Sequence, residues 1–190
     1  MQHVVIMDYR SDWPEAFAQL AYRIRAAAPE ALRIDHIGST SIPGMNAKDV
    51  IDIQVSVADL RTTRVPDQLA SIGFEHKSQI ATDWLVGRAE DDPQLRKAFL
   101  CEPDGERRCH LHVRQEGNLN QRYALVLRDY LRAHPEAVAS YEQIKRTLAA
   151  RHPDDIDDYL ALKDPVMDLI YGAAQIWAQQ IEWQPDVDYS

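Results

Sequence analysis

Alternation of apolar and polar residues is clearest over residues 50–57, where every odd-numbered position is aliphatic. The even-numbered positions include Asp52 and Gln54. Because successive side chains of a strand point to opposite faces, this pattern predicts a β-strand with one apolar and one polar face. Residues 109–114 repeat the pattern, with Leu111 and Val113 on one face. The polar face of this second strand would carry His110, His112 and Arg114.

Helical spacing of apolar residues predicts a first helix near residues 11–28, followed by a strand over 32–37. Weaker patterns predict one more helix, over 66–72, and strands over 74–80, 84–88 and 96–102. After Gly117 the pattern becomes helical. Proline residues punctuate this part and predict separate helices over 119–133, 136–151, 154–160 and 165–182.

The pattern therefore indicates an α+β fold with a small mixed sheet, followed by a helical C-terminal part. We place the α+β core at residues 1–115 and the helical part at 116–190. No linker rich in Gly, Pro and Ser separates the two, so we expect them to pack as a single domain over 1–190.

Composition narrows the classes of function. The formal net charge of −9 repels polyanions, so we expect no duplex nucleic acid as a partner. No leader segment and no apolar run of membrane-spanning length is present, so we expect a cytoplasmic protein that does not contact a membrane. Cys101 and Cys109 are too few for a disulfide framework, and we expect free thiols.

A Gly/Ser/Thr turn lies between two predicted strands and consists of Gly38, Ser39, Thr40 and Ser41. Glycine lets backbone N–H groups approach a ligand, and hydroxyl groups donate to phosphate oxygens. Lys48 and then Asp52 follow; a carboxylate within a strand is costly unless it binds something, often a hard cation. The pattern favours a site for a metal-bound phosphate compound, and the alternative is a tight turn with a capping Asp.

Other polar residues are candidates for the same site. His110, His112 and Arg114 could ligate a metal or contact a phosphate or acceptor, or could be hydrogen-bonded residues of a polar face. Lys145, four residues after Tyr141, and Arg128, beside Asp129, are candidates to neutralise a triphosphate. The remaining helix cations, Lys163 among them, are typical of a solvent-exposed face.

The run over residues 35–44, with residues 47–48 and 51–53, closely resembles the GrpB family of the nucleotidyltransferase superfamily. Residues 110–113 and 128–132, and Tyr141 with Lys145, extend the resemblance. It implies a nucleotidyltransferase fold: a small mixed sheet flanked by helices. It further implies that Gly38 and Ser39 hold a triphosphate and that Asp52 is the first acid of a metal site. In some bacteria a domain of this type is fused to dephospho-CoA kinase, which points to nucleotide or coenzyme A metabolism.

The chain departs from the superfamily pattern at the other acid positions. Gln54 stands where a second acid is expected, and His110 and His112 lie on the strand expected to carry the third. Histidine suits Zn, Mn, Ni or Fe better than Mg. The site could therefore hold one softer metal, could take its missing charge from Asp35, Asp49 or Glu102, or could belong to a binding relative of the enzymes.

The leading hypothesis is a metal-dependent nucleotidyltransferase that moves a nucleotidyl group from an NTP to a small molecule, an RNA end or a protein hydroxyl. Its cofactor would be a divalent metal, Mg or Mn, with Zn, Ni or Fe as alternatives, held by Asp52, His110 and His112. Asp52 and His112 would be catalytic. The nucleotide-binding residues would be Gly38, Ser39, Thr40, Ser41, Lys48, Lys145 and Arg128. The alternative is a non-catalytic nucleotide- or CoA-binding module.

Overall fold

The computed structural model describes residues 3–186. Its helices are α1 (Trp13–Ala27), α2 (Val65–Ser71), α3 (Leu119–Ala133), α4 (Pro135–Arg151) and α5 (Ile156–Gln180). Its strands are β1 (Arg33–Ile37), β2 (Ile51–Val57), β3 (Glu75–His76), β4 (Lys97–Cys101) and β5 (Cys109–Gln115).

The strands form one mixed sheet in the order β1-β2-β5-β4-β3. Strands β2 and β5 pair in parallel, and the other neighbours pair antiparallel. The parallel register sets Asp52 opposite His110 and Gln54 opposite His112. The predicted α+β class with a small mixed sheet is therefore confirmed, and the two strands with the clearest alternation lie side by side at its centre.

The two faces of this sheet differ in chemistry. One face packs on α1 and α2 around fully buried residues such as Trp13, Ile53 and Leu111. The other face carries the polar residues of β2 and β5 and is partly covered by α3, where Gln54 Nε2 donates to Gln121 O at 3.1 Å. Burial of each large apolar side chain on the first face contributes about 1.5–3 kcal/mol, so that face stabilises the fold and leaves the second face to polar groups.

The prediction of a strand over residues 84–88 is wrong. This segment forms a turn, with Gly87 at a φ of +78°, and Trp84 is 59% exposed. Trp84, Leu85 and Val86 form a short apolar run, but the positive φ of Gly87 cannot continue a strand. The strand predicted over 74–80 is shorter than expected and is confined to β3.

The break predicted at Pro165 is also wrong, because α5 continues through this residue. Proline inside a helix loses one hydrogen bond and costs about 3 kcal/mol. Tyr159 on one side of Pro165, and Tyr171 and Ala174 on the other, are buried. Packing of both halves of α5 offsets the cost of the proline.

Cys101 and Cys109 are both free, as expected. They lie on adjacent strands, where Cys101 pairs with His110. Within residues 3–186, none of the helices combines the length and the hydropathy that crossing a lipid bilayer requires.

Candidate active site

Gly38 lies directly on the carboxylate of Asp52. The residue has a φ of +70°, and a Cβ added there would overlap Oδ2 and lie 2.9 Å from Asp52 Cβ. A side chain at this position is therefore excluded by contact as well as by backbone conformation. The sequence thus brings the backbone of the turn onto the acid of β2.

The hydroxyl groups of the turn have different partners. Thr40 Oγ1 donates to Val50 O at 3.2 Å, and Ser41 Oγ donates to Gly38 O at 2.6 Å. The hydroxyls of these two residues therefore bind backbone carbonyls and stabilise the turn. The Ser39 hydroxyl instead accepts a hydrogen bond from Lys145 Nζ at 3.1 Å. Of the three predicted hydroxyl ligands, only Ser39 is joined to the helical part of the molecule by its side chain.

Lys145 reaches the turn from α4 and is 2% exposed. Its ammonium also donates to Asn46 O at 2.6 Å. Burial, reinforced by the charges of Lys163 and Lys48 and opposed by Glu142, lowers the pKa of Lys145 to about 7. A buried lysine with this pKa gains most from an anion that would hold its proton.

Lys48 and Lys163 complete a group of three ammonium groups near the turn. Lys48 Nζ lies 5.3 Å from the centroid of the Tyr159 ring, and its pKa is lowered by burial and then by the charge of Lys163. Burial works to lower the pKa of Lys163 too, but neighbouring groups such as Asp164, 2.9 Å away, raise it.

Residue type alone predicts that Lys163 is an ordinary surface cation. The sequence does contain a pattern that could identify Lys163 as a site residue. Tyr159 precedes Lys163 by four residues, as Tyr141 precedes Lys145. Residues four apart share a helix face. We call Gly38 and Ser39, with Lys48, Lys145 and Lys163, the phosphate end of the site.

Asp52, His110 and His112 converge beside the turn. Asp52 Oδ1 lies 3.3 Å from His110 Nδ1 and 3.9 Å from His112 Nε2, and the Asp52 side chain is 29% exposed rather than fully buried. Burial alone would raise the pKa of Asp52, but His110 and His112 outweigh it and lower that pKa. Asp52 is therefore ionised at neutral pH. We call these three residues, with Gln54, the acid end.

His112 is fixed by the neighbouring Arg114. Arg114 Nη2 lies 3.3 Å from His112 Nδ1, and because arginine only donates, Nδ1 accepts and Nε2 carries the proton. Burial, followed by the charges of Lys97 and Arg114, lowers the pKa of His112 to about 4. His112 is thus a neutral imidazole with its N–H toward Asp52, and its lone pair is engaged by Arg114.

Gln54, at the expected second acid position, is fully buried and hydrogen-bonded at both ends of its amide. Besides the bond to Gln121 O, its Oε1 accepts from Arg114 Nη1 at 2.7 Å. Arg114 Nε in turn donates to Asp83 Oδ2 at 2.9 Å. The position that would hold a metal-binding acid therefore belongs to a network of structural hydrogen bonds.

The three carboxylates considered as replacements have other partners. Asp35 pairs with Arg33 at 2.7 Å, Asp49 pairs with Arg107 and accepts from Trp13 Nε1, and Glu102 accepts from Cys109 N at 2.9 Å. Within the described part of the chain, no three His, Cys, Asp or Glu side chains are grouped so that they could hold a metal ion. One carboxylate with two imidazoles does not match the several negative ligands that a two-metal magnesium centre needs.

Arg128 is enclosed between α3 and β1. Its side chain is 0% exposed, its Nε lies 2.7 Å from Asp129 Oδ1, and its Nη1 donates to His36 O at 3.1 Å. These contacts join the helical part to the strand that enters the turn. Arg128, which the sequence predicts to bind the nucleotide, is thus fully buried and engaged by a carboxylate and a backbone carbonyl.

Comparison with known proteins gives matches over nearly the whole chain. The family model described as GrpB protein matches residues 3–173. The dephospho-CoA kinase of Mycolicibacterium paratuberculosis is 34% identical over 189 residues, which covers 92% of this chain and 46% of that protein. The YqkA protein of Bacillus subtilis is 32% identical over 176 residues, covering 92% of this chain and 48% of YqkA. The chain thus spans about half the length of these curated relatives.

Solved structures agree with the family match. The crystal structure of the conserved protein GrpB from Enterococcus faecalis superposes with a TM-score of 0.75 at 29% identity, covering 91% of this chain and 99% of that one. A structure of Cid1, which has RNA terminal uridylyl transferase activity, reaches a TM-score of 0.50 at 13% identity over 77% of this chain and 42% of its own. That likeness shows the fold alone. The chain has a nucleotidyltransferase fold and belongs to the GrpB family.

Proposed function

We propose that this protein binds a nucleoside triphosphate and transfers its nucleotidyl group to the hydroxyl of an acceptor. The observation that carries the proposal is the contact of Lys145 Nζ with Ser39 Oγ, on a turn whose glycine packs on Asp52. A Gly/Ser turn, a buried lysine and an ionised aspartate therefore lie side by side, an arrangement that suits a phosphate compound.

The phosphate end supports triphosphate binding through its charge. Lys48, Lys145 and Lys163 act on one another electrostatically, within a chain whose net charge is −9. Like charges held together in a partly buried site are costly unless an anion lies among them. A triphosphate supplies such an anion, and its oxygens would accept from the ammonium groups and from Ser39.

The acid end supports transfer. The acceptor oxygen would attack the α-phosphorus, the bond from that phosphorus to the bridging oxygen of pyrophosphate would break, and the lysines would stabilise the departing charge. His110 would take the acceptor's proton, because Asp52 faces its Nδ1 and leaves Nε2 for the acceptor. His112, named as catalytic by the sequence, would donate toward Asp52 instead. Because the donors present do not fit a two-metal centre, no step of this proposal passes through a metal.

The test is a pyrophosphate-release assay on the full chain. Each common nucleoside triphosphate is supplied with a divalent salt and a pool of small metabolites, RNA ends and proteins. We expect pyrophosphate release that depends on the acceptor pool. Release should fall at least about tenfold in Lys145→Met, because this variant loses one charged hydrogen bond to the triphosphate. The matched control is Lys77→Met, a lysine paired with Glu75 at the far edge of the sheet. No release from the wild-type chain under any of these conditions would refute transfer.

A second function is favoured by one observation, the engagement of Gln54 by Arg114 and Gln121. A site that has lost its second acid to a structural network could bind a nucleotide or coenzyme A without turning it over. Thermal denaturation with ATP, dephospho-CoA and coenzyme A separates the two functions. Stabilisation by one of these ligands without any pyrophosphate release would favour the binding module.

A further inference from the structure

A cavity of about 380 Å³ opens where β2 and β5 begin, beside the acid end. Its volume lies within the range of about 300–1,000 Å³ that small-molecule sites occupy. Val4, Met7 and Ile156 supply an apolar wall, and Lys48, Arg107 and Arg108 supply a polar one. Lys48 belongs both to this cavity and to the phosphate end, so the two sites adjoin.

The two carboxylates of the cavity wall are already paired. Asp49 is bound by Arg107, and Glu106 is bound by Arg23. The cavity wall thus carries three cations, Lys48, Arg107 and Arg108, against two carboxylates, and its charge is positive. The Arg108 side chain is 45% exposed and its Nε lies 3.9 Å from Glu102 Oε1, so its guanidinium is reachable from solvent.

Strand geometry relates Arg108 to the acid end. Ile51 N donates to Arg108 O at 3.1 Å, which ties Arg108 to the start of β2. Arg108 directly precedes β5, and His110 is the second residue of that strand. At a rise of about 3.3 Å per residue, the two residues are roughly 7 Å apart along the strand. A small molecule with an anionic group at Arg108 would thus reach His110 with a hydroxyl.

We infer that this cavity binds the acceptor, and that the acceptor is a small hydroxyl compound carrying a phosphate or carboxylate group. The anionic group would lie between Lys48 and Arg108, the body of the molecule would lie against Val4, Met7 and Ile156, and the hydroxyl would face His110. This inference rests on the proposed function, since it names the second substrate of the same site. It also favours a small molecule over an RNA end or a protein hydroxyl.

Calorimetric titration tests the inference with three probes of one carbon skeleton: glycerol phosphate, glycerate and glycerol. Inorganic tripolyphosphate is present at saturation, so that the phosphate end is filled. We expect glycerol phosphate or glycerate to bind and glycerol not to bind, and the stronger of the two anions identifies the acceptor group.

Substitutions of single arginine residues show where the anionic probe binds. Arg108→Gln should weaken binding of the anionic probe about tenfold, equivalent to roughly 1.4 kcal/mol, while tripolyphosphate affinity changes less than about threefold. Arg61→Gln, an equal change of charge at an exposed arginine paired with Asp59, should change neither. Arg108→Lys should retain most of the binding, which separates loss of charge from loss of structure.

The possible failures are distinguishable. If neither anion binds, or if Arg108→Gln binds the probe as well as the wild-type chain does, the cavity is not the acceptor site. Simple competition between the probe and tripolyphosphate would place the probe at the phosphate end and would also overturn the inference. Absence of tripolyphosphate binding would instead contradict the proposed function.

Discussion

The phosphate end and the acid end of the site meet where Gly38 packs on Asp52. They differ in how many residues of the nucleotidyltransferase pattern each contains. At the phosphate end, Lys145 bonds to Ser39 and is supported by Lys48 and Lys163. At the acid end, Asp52 is the one carboxylate of the expected pattern that remains, and Gln54 is held by Arg114. Under the proposed function, ligand binding and nucleotidyl transfer would rest on separate residues, so substitutions should affect them separately.

The largest expected effect is on transfer alone. Asp52→Asn removes the charge that orients His110, and we expect pyrophosphate release to fall about 100-fold, within the usual contribution of an acid–base group. Binding of a non-hydrolysable triphosphate should change little. The matched control is Asp59→Asn, since both aspartate side chains are 29% exposed. Equal losses of binding and of release in Asp52→Asn would show that the two ends are not separable.

The contact that joins the two ends can be broken by Gly38→Ala. The new Cβ overlaps the Asp52 carboxylate at a φ of +70°, so the free energy of unfolding should fall by roughly 2–4 kcal/mol. Gly44→Ala is the control, because its φ is +79° but no atom lies within 4 Å of its added Cβ. It should cost only about 1–2 kcal/mol of backbone strain. Urea denaturation measures both, and equal losses would mean that the contact with Asp52 is unimportant.

Restoring an acid at position 54 tests the structural role of Gln54. Gln54→Glu keeps an oxygen for Arg114 but loses the N–H that Gln121 O accepts, so the free energy of unfolding should fall by about 1–2 kcal/mol. We expect no gain in magnesium affinity by calorimetry, because Arg114 would hold the new carboxylate. A variant that is as stable as the wild-type chain and binds magnesium more tightly would contradict the structural role given to Gln54.

The smallest expected effect is the pH dependence of the phosphate end. Because the pKa of Lys145 is about 7, its ammonium is charged below that pH and loses its proton above it. The ratio of tripolyphosphate affinities, wild type to Lys145→Met, should therefore fall severalfold as the pH rises from about 6 to about 9. The ratio of the two affinities is used because tripolyphosphate itself titrates equally in both measurements. A ratio that rises with pH would contradict the assignment.

Sequence alone predicts the elements that depend on short-range pattern. The strands with Asp52 and His110 follow from alternation, and the Gly38 turn follows from its residue types. Short-range pattern does not predict contacts between residues that are far apart in the chain. The bond from Arg114 Nη1 to Gln54 joins positions 60 residues apart and engages the residue at the second acid position, while Arg114 Nη2 sets the tautomer of His112.

Other features also depend on contacts that residue type does not reveal. Pro165 predicts a helix break, but packing of both halves of α5 outweighs its cost. Thr40 and Ser41 have the right hydroxyls for phosphate, but the turn uses them internally. Residue type therefore identifies candidates for the site, and tertiary contacts decide which of them remain available to a ligand.

We propose that Ser39 and the buried Lys145 form a triphosphate site that does not depend on Asp52. Calorimetric titration of inorganic tripolyphosphate into the wild-type chain, Lys145→Met and Asp52→Asn tests it most directly, since this probe has no base, sugar or acceptor. We predict one site per chain, a loss of at least about tenfold in Lys145→Met, and unchanged or tighter binding in Asp52→Asn, where a nearby negative charge is removed. Equal affinity of the wild-type chain and Lys145→Met would show that Lys145 does not bind the triphosphate.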